Sequence, residues 1–440
     1  MPAIDLLVRG ASWPSTKAPW RDQNALLPED RVDLLVAEGK VVDLVPSGSP
    51  ESAAAAEAAE VVEAGGLTLL PGLIDAHTHL REPGFEYKED IASGLAAAAA
   101  GGFSSVMCMA NTHPVNDNAT VTDLMLHKAA IAHPQGPRLF PVAGLTLGLA
   151  GEQLAPLGEL ARAGCVAASN DGMPVKSTEL FRRAMEYAAT VGLPVIDHCE
   201  DPWLAPAAGM NEGRTSSLLG LRGQPAAAEA IQVARDILLA DQLEIPVHLA
   251  HVSCRESVEL IAWGKERGIP VTAETCPHYL FLTEEACEGY NTLAKVNPPL
   301  RTRDDVVALR QALSAGIIDI LATDHAPHAD HEKETPFADA PCGLTGLDTA
   351  LAWTWRLVRE GALGAEEFMR AWTAGPGRIF HLPANTFAAG DPADFLLFDP
   401  EEAWEVTPEM LRSKSKNTPL LGSTLHGRVK AHFIAGRRIV

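Results

Sequence analysis

The chain is short of positive charge: 35 Lys and Arg stand against 57 Asp and Glu in 440 residues, a formal net charge of −22. Nucleic-acid binding draws on clustered basic side chains, so no nucleic-acid partner is expected, and the acidity reads as a solubilising surface. No uninterrupted apolar run approaches the roughly 18 residues that would span a bilayer, which argues against a membrane partner. Charges at Asp5 and Arg9 fall where a signal peptide needs its apolar segment, so the expected location is cytoplasmic. The seven cysteines are scattered singly, with no CxxC pair and an odd total. That is not a disulfide framework, and it fits a reducing compartment.

What is present supports a large buried core, with 47% hydrophobic and 21% charged residues. The length allows up to about three average domains, although barrel folds use about 250 residues or more as one unit. Residues 1–65 hold short β-like runs (IDLLVRGA, RVDLLVAEGKVVDLVP) and then the Ala/Glu-rich segment ESAAAAEAAEVVEA, whose 52–60 portion has no functional reading. Residues 385–440 mirror them with DFLLFDP, EEAWEVT and HGRVKAHFIAGRRIV. Alternating apolar residues divided by turn residues predict strands, so both ends are expected to build one small β-sandwich domain.

Between them, over 66–384, apolar runs of strand length alternate with helix-length segments. The strand candidates are LTLLPGLIDAH, FSSVMCMA, RLFPVAGLT, CVAASND, LPVIDHC, IPVHLAHV, IPVTAETC and IIDILATD. Stretches such as ELFRRAMEYAATVG and PAAAEAIQVARDILLADQ repeat apolar residues at helical spacing. Continuous apolar strands separated by helices indicate a parallel sheet. Eight repeats, with no GxGxxG after the first strand, predict an α/β fold, a closed (β/α)8 TIM barrel, rather than an open doubly wound sheet. Chemistry in such a barrel sits at the carboxyl ends of the strands.

Strand one ends in His77 and His79. At i and i+2 they leave an extended strand on one face, so both imidazoles can reach one ion. Alone, a His-x-His is weak evidence, and an Asp before Gly such as Asp171 in ASNDG is usually a turn residue. Yet strand five ends in His198, strand six in His251 and strand eight in Asp324. Four histidines and two aspartates at carboxyl ends of one barrel converge on one cavity. Imidazole and carboxylate suit zinc or a similar divalent ion, and six ligands exceed one tetrahedral ion, pointing to two metals sharing a carboxylate. His113, His127, His133, His381, His426 and His432 have no ligand-like company and read as ordinary. His248 is expected to face away from His251 and to be structural. His278, just after strand seven, is left open between lining the site and not.

The segments DAHTHLREPG, MANTHP, ASNDG, DHCED, HLAHVS, KVNPPLR, ATDHAPH, APCGLTGLDTA and SKNTPLLG run in order along nearly the whole chain. Together they resemble the amidohydrolase superfamily and, more closely, its dihydroorotase members of type I. The resemblance implies reversible, zinc-dependent interconversion of N-carbamoyl-L-aspartate and L-dihydroorotate in pyrimidine biosynthesis, by hydroxide attack on the cyclic amide. It implies that His77 and His79 bind one zinc, that His198 and His251 bind the second, and that Asp171 bridges them. Many superfamily members place a carboxylated lysine there; Lys176 lies five residues too late. Asp324 is implied to touch the first zinc and carry the proton. Arg81, Asn111 and His328 match residues that hold the substrate carboxylate, Asn297 matches a ring contact, and Gly343 and Leu344 match a loop offering backbone hydrogen bonds. Departures are Asn170 where the family often has Asp, Ala110 where it often has Pro, and Cys342 in the loop. None removes a ligand.

The two-residue period is expected to put Arg81 on the same face as the two histidines, where it would read a carboxylate in a bidentate way. Expected partners are the small-molecule substrate and further copies of the chain in a homo-oligomer, with aspartate transcarbamoylase as a further subunit. The competing readings are a related cyclic amidohydrolase, allantoinase or dihydropyrimidinase, whose substrates lack the ring carboxylate, and a metal-free barrel serving only as a partner of aspartate transcarbamoylase.

Overall fold

The computed structural model describes residues 3–14, 31–57, 59–205 and 209–440. Among them are sixteen strands in two sheets. The barrel strands are β6 (Leu73–Thr78), β7 (Phe103–Cys108), β8 (Arg138–Gly144), β9 (Ala167–Ser169), β10 (Val195–Asp197), β11 (Val247–Leu249), β12 (Val271–Thr275) and β13 (Ile320–Leu321). They pair in sequence order, every ladder parallel. The ring closes between its first and last members, where Thr78 bridges His325 in parallel and the His79 N–H donates to His325 O at 2.8 Å. Asp75 on β6 adds to the seam by accepting from the backbone N–H and hydroxyl of Thr323. This is the expected eight-stranded barrel.

The helices predicted between strands form where apolar spacing and caps agree. Ile91–Gly101 starts at Asp90, whose side chain accepts from Ser93 N, and ends at Gly102 with φ 90°. Thr178–Thr190 is capped by Ser177 and buries Phe181, Ala184, Met185 and Ala188 at helical spacing. No helix among the described residues is long and apolar enough to cross a membrane.

The second sheet is mixed and comes from both ends of the chain: β1 (Leu6–Ser12), β2 (Arg31–Ala37), β3 (Lys40–Pro46), β4 (Glu60–Glu63), β5 (Thr68–Pro71), β14 (Phe395–Glu405), β15 (Thr424–Ile434) and β16 (Arg437–Arg438). The ends meet where β14 runs antiparallel to β5, with Leu396 opposite Leu70. Phe395 and Phe433 are cross-strand partners on β14 and β15, and their rings stack at 4.5 Å, a pairing worth about 1 kcal/mol beyond its buried area. In the Ala-rich segment, Pro50–Ala55 is a short helix capped by Ser49, and Ala58 lies outside the described residues.

One expectation changes. The run Leu67–His77, read as a single strand, is two: β5 belongs to the terminal sheet and β6 to the barrel. The chain changes sheets at Gly72, where a Cβ would stand 2.0 Å from the Ser104 hydroxyl, so the crossing needs glycine. We infer that the unit built from the termini extends to Pro71.

Candidate active site

The short apolar strands end abruptly, and the chemistry-bearing residues follow at their carboxyl ends. His77 lies on β6, and His79, Asp171, His198, His251 and Asp324 lie one to three residues beyond β6, β9, β10, β11 and β13. All six are buried, none more than 6% exposed. Asp171 is the centre. Its Oδ1 lies 3.3 Å from His77 Nε2, 3.6 Å from His198 Nδ1 and 3.4 Å from His251 Nε2. Its Oδ2 is 3.5 Å from His79 Nε2. Asp324 Oδ1 stands 3.1 Å from His79 Nε2 and 3.7 Å from His77 Nε2. Two groups that could each hold a metal ion therefore share Asp171: His77 with His79, and His198 with His251.

The hydrogen bonds behind the ligands set their tautomers. His77 Nδ1 donates to Glu274 at 2.7 Å and His79 Nδ1 to Asn111 Oδ1 at 2.9 Å, so in its neutral form each ring turns an Nε2 lone pair toward Asp171. His77 Nε2 and Asp171 Oδ1 are buried with no hydrogen-bond partner. Buried lone pairs facing a carboxylate call for positive charge between them. Protons on the imidazoles can supply that charge, and a metal ion would displace them. Burial opposes charge on His198, yet Asp171 and Glu200 raise its pKa to about 10. Burial likewise opposes it on His77, where Asp171 and Glu274 still hold the pKa well above the imidazole range. This donor set fits divalent metal ions of the zinc type.

Asp324 is kept ionised. Burial pushes its pKa up, but His79, His77 and His251 bring it down to about 2. Its backbone has φ 47°, and His251 and Arg81 have φ 34° and 63°. Three non-glycine residues in left-handed conformations at one rim mark a site held in strained geometry.

Beside the His/Asp cluster lies a group of cationic side chains, Arg81 and Lys88, with Glu332 pairing Lys88 at 2.8 Å. Arg81 Nε donates to Pro327 O at 3.1 Å, and its Nη2 lies 3.3 Å from His328 Nε2. His328 Nε2 donates to Cys342 O, and Lys88 Nζ lies 3.4 Å from its Nδ1. Burial, then Arg81, Lys88 and Lys333, push the His328 pKa far below the imidazole range, so the ring is neutral among cations. The strand period does not place Arg81, because β6 ends at Thr78; the turn at φ 63° does. Asn297 stands next to His198, its Nδ2 3.4 Å from the ring and its buried Oδ1 unpartnered. Gly343, at φ 135°, has its N–H on Lys295 O and its carbonyl on Asn417. Leu344 gives its carbonyl to Ala326 N–H.

His248 is not turned away. Its Nε2 is 3.2 Å from Glu274 Oε2, the carboxylate that holds His77, and its ring packs edge-on against Phe380. Strand parity stops at Leu249, and His251 has left-handed φ, so an i+3 offset does not carry through. His278 is fully buried beyond β12, with neither ring nitrogen partnered, and feels the charges of Asp324 and His251. Lys176 is exposed over the Trp203 ring, away from Asp171.

Sequence reasoning missed Glu274, Glu200, Lys88 and Asn417. Asn417 holds His328 N, Ala326 O and Gly343 O together. It lies in the quoted SKNTPLLG, so a signal existed there. Glu274, 197 residues from its partner His77, left none.

A closed barrel with a buried His/Asp cluster at its carboxyl rim and an extra sheet built from both termini defines an amidohydrolase-type hydrolase. Solved structures share the fold across nearly the whole chain: L-hydantoinase (dihydropyrimidinase) from Arthrobacter aurescens at TM-score 0.84, 23% identity and coverage of 99% of this chain and 96% of that one, and dihydropyrimidinase from Brevibacillus agri at TM-score 0.77, 24% identity, 99% and 94%. The Dihydro-orotase-like family model matches residues 66–257. Dihydroorotases from Syntrophotalea carbinolica and Geobacter metallireducens are 47% and 46% identical over 409 and 414 residues, covering 93% of this chain in each case and 94% and 95% of those proteins. The chain belongs to the dihydroorotase family.

Proposed function

We propose that the chain interconverts L-dihydroorotate and N-carbamoyl-L-aspartate, with two zinc ions held by His77, His79, Asp171, His198, His251 and Asp324. The observation that carries this reading is the cationic group of Arg81 and Lys88 beside a carboxylate-centred ligand cluster. A ring amide that also bears a carboxylate matches both halves, whereas dihydropyrimidinase and allantoinase substrates leave the cationic group without work.

Zinc ions held by these residues would supply Lewis acidity and lower the pKa of the attacking water toward neutrality. The chain's own groups do the rest. Arg81 and Lys88 clamp the substrate carboxylate, with Asn111 and the neutral His328 completing the clamp. Asn297 Oδ1 accepts a ring N–H. The Gly343–Leu344 backbone lines the ring side of the site, with the Gly343 N–H held by Lys295 O and Leu344 bridged to His325. Asp324, ionised at neutral pH, takes the proton as the new C–O bond forms and returns it to the ring nitrogen as the C–N bond breaks. Cyclisation runs the same transfers backward.

The test is turnover by purified, zinc-supplemented protein of L-dihydroorotate, allantoin and dihydrouracil, with a chelator-treated control. Metal-dependent turnover of dihydroorotate alone is the expected result. No turnover with zinc bound, with or without added aspartate transcarbamoylase, overturns the reading.

A further inference from the structure

Glu200 lies two residues past His198, and its side chain is 13% exposed. Three donors converge on one of its oxygens. Oε2 is 2.7 Å from Asn297 Nδ2, 3.4 Å from His198 Nε2 and 3.4 Å from Gln224 Nε2. The Gln232 amide holds the Glu200 backbone carbonyl at 3.2 Å, anchoring the residue to the helix Ala226–Leu243.

An ionised carboxylate only accepts hydrogen bonds, so what faces it must donate. Asn297 therefore turns its NH2 to Glu200, which leaves its Oδ1 buried without a protein partner. In the neutral ring that binds a metal, the same constraint puts the proton of His198 on Nε2 and its lone pair on Nδ1, the atom 3.6 Å from Asp171. We infer that Glu200 is a positioning residue that sets both polarities at once: one oxygen makes His198 a metal ligand and Asn297 a hydrogen-bond acceptor for a ring N–H. This rests on the proposed dihydroorotase reading for its Asn297 half; the His198 half needs only a metal.

Glu200→Gln keeps the shape but adds a donor, so both neighbours can turn over. Partners that orient a metal-ligating histidine typically change metal affinity or activity by about 10–100-fold when mutated. Metal affinity is read by chelator competition, without turnover, and the kinetics by the split of KM and kcat for dihydroorotate, with the thermal midpoint as a folding control. Glu200→Gln is expected to release zinc about 10-fold more readily and to raise KM at least about 10-fold. Glu200→Asp, which keeps an acceptor-only group, should fall between it and wild type. Wild-type resistance of Glu200→Gln to chelator overturns the His198 role, and a wild-type KM overturns the Asn297 role. A Glu200→Asp as impaired as Glu200→Gln overturns the polarity argument itself. Failure of wild type to turn over dihydroorotate would instead strike the proposed function, and the chelator comparison would still decide the His198 half.

Discussion

Two buried histidines, one at each end of the barrel, divide the molecule into scaffold and site. His432 on β15 stands where the terminal sheet meets the barrel. Its Nδ1 donates to Ala99 O and its Nε2 accepts from the Ser104 hydroxyl, both at 2.9 Å. Nearby, Arg138 pairs with Asp394, which also accepts from Ala435 N. His278 at the opposite rim has neither nitrogen partnered. Burial drives the pKa of both rings down to about 4, so both are neutral at pH 7, and what differs is satisfaction. At the junction both nitrogens of His432 have partners. Along the rim, His77 Nε2, Asp171 Oδ1, Asn297 Oδ1 and His278 do not. Unsatisfied buried polar atoms are costly to keep, and they persist where a ligand completes them.

The sharpest way to break this division is at Asp324. Asp324→Asn removes the proposed proton carrier, and a rate loss of about 10²–10⁴-fold in both directions is expected with the thermal midpoint nearly unchanged. Retention of most of the rate would take Asp324 out of proton transfer. A smaller effect is expected at the cationic group. Arg81→Ala should raise KM for dihydroorotate by about 10–100-fold, the loss of one charge-assisted contact of roughly 1.5–3 kcal/mol. Zinc content, measured by elemental analysis, should not change; loss of metal would make Arg81 part of the ligand scaffold.

The smallest effect belongs to the junction and appears as pH dependence. The folded pKa of His432, about 4, lies below its ordinary 6.5. The unfolded chain therefore binds the proton more readily. The stabilisation from keeping this ring neutral is fully present above pH 6.5 and is lost as pH falls toward 4, at most about 3 kcal/mol. In denaturant titrations across that window, His432→Gln should flatten the slope of stability against pH relative to wild type. Its kcat and KM at pH 7 should match wild type. A kinetic defect as large as the stability defect would show that the junction and the rim are not separable.

What the sequence determined by itself was the fold class and which His and Asp side chains gather at one rim. Apolar runs alternating with amphipathic segments specify parallel strands locally, and a parallel barrel brings all strand carboxyl ends to one rim. A residue's distance from the end of its own run was therefore enough to gather His77, His79, Asp171, His198, His251 and Asp324. Composition also showed which of the chain's ends would pair as strands. Only the tertiary structure decided where one apolar run became two strands at Gly72, that His248 stands under the site, and that Lys88 joins Arg81. It alone supplied the carboxylates that set tautomers and amide orientation, Glu274 behind His77 and Glu200 between His198 and Asn297. The reason is physical: a hydrophobic period acts over a few residues, whereas the direction of a hydrogen bond depends on a partner that only folding brings within 3 Å.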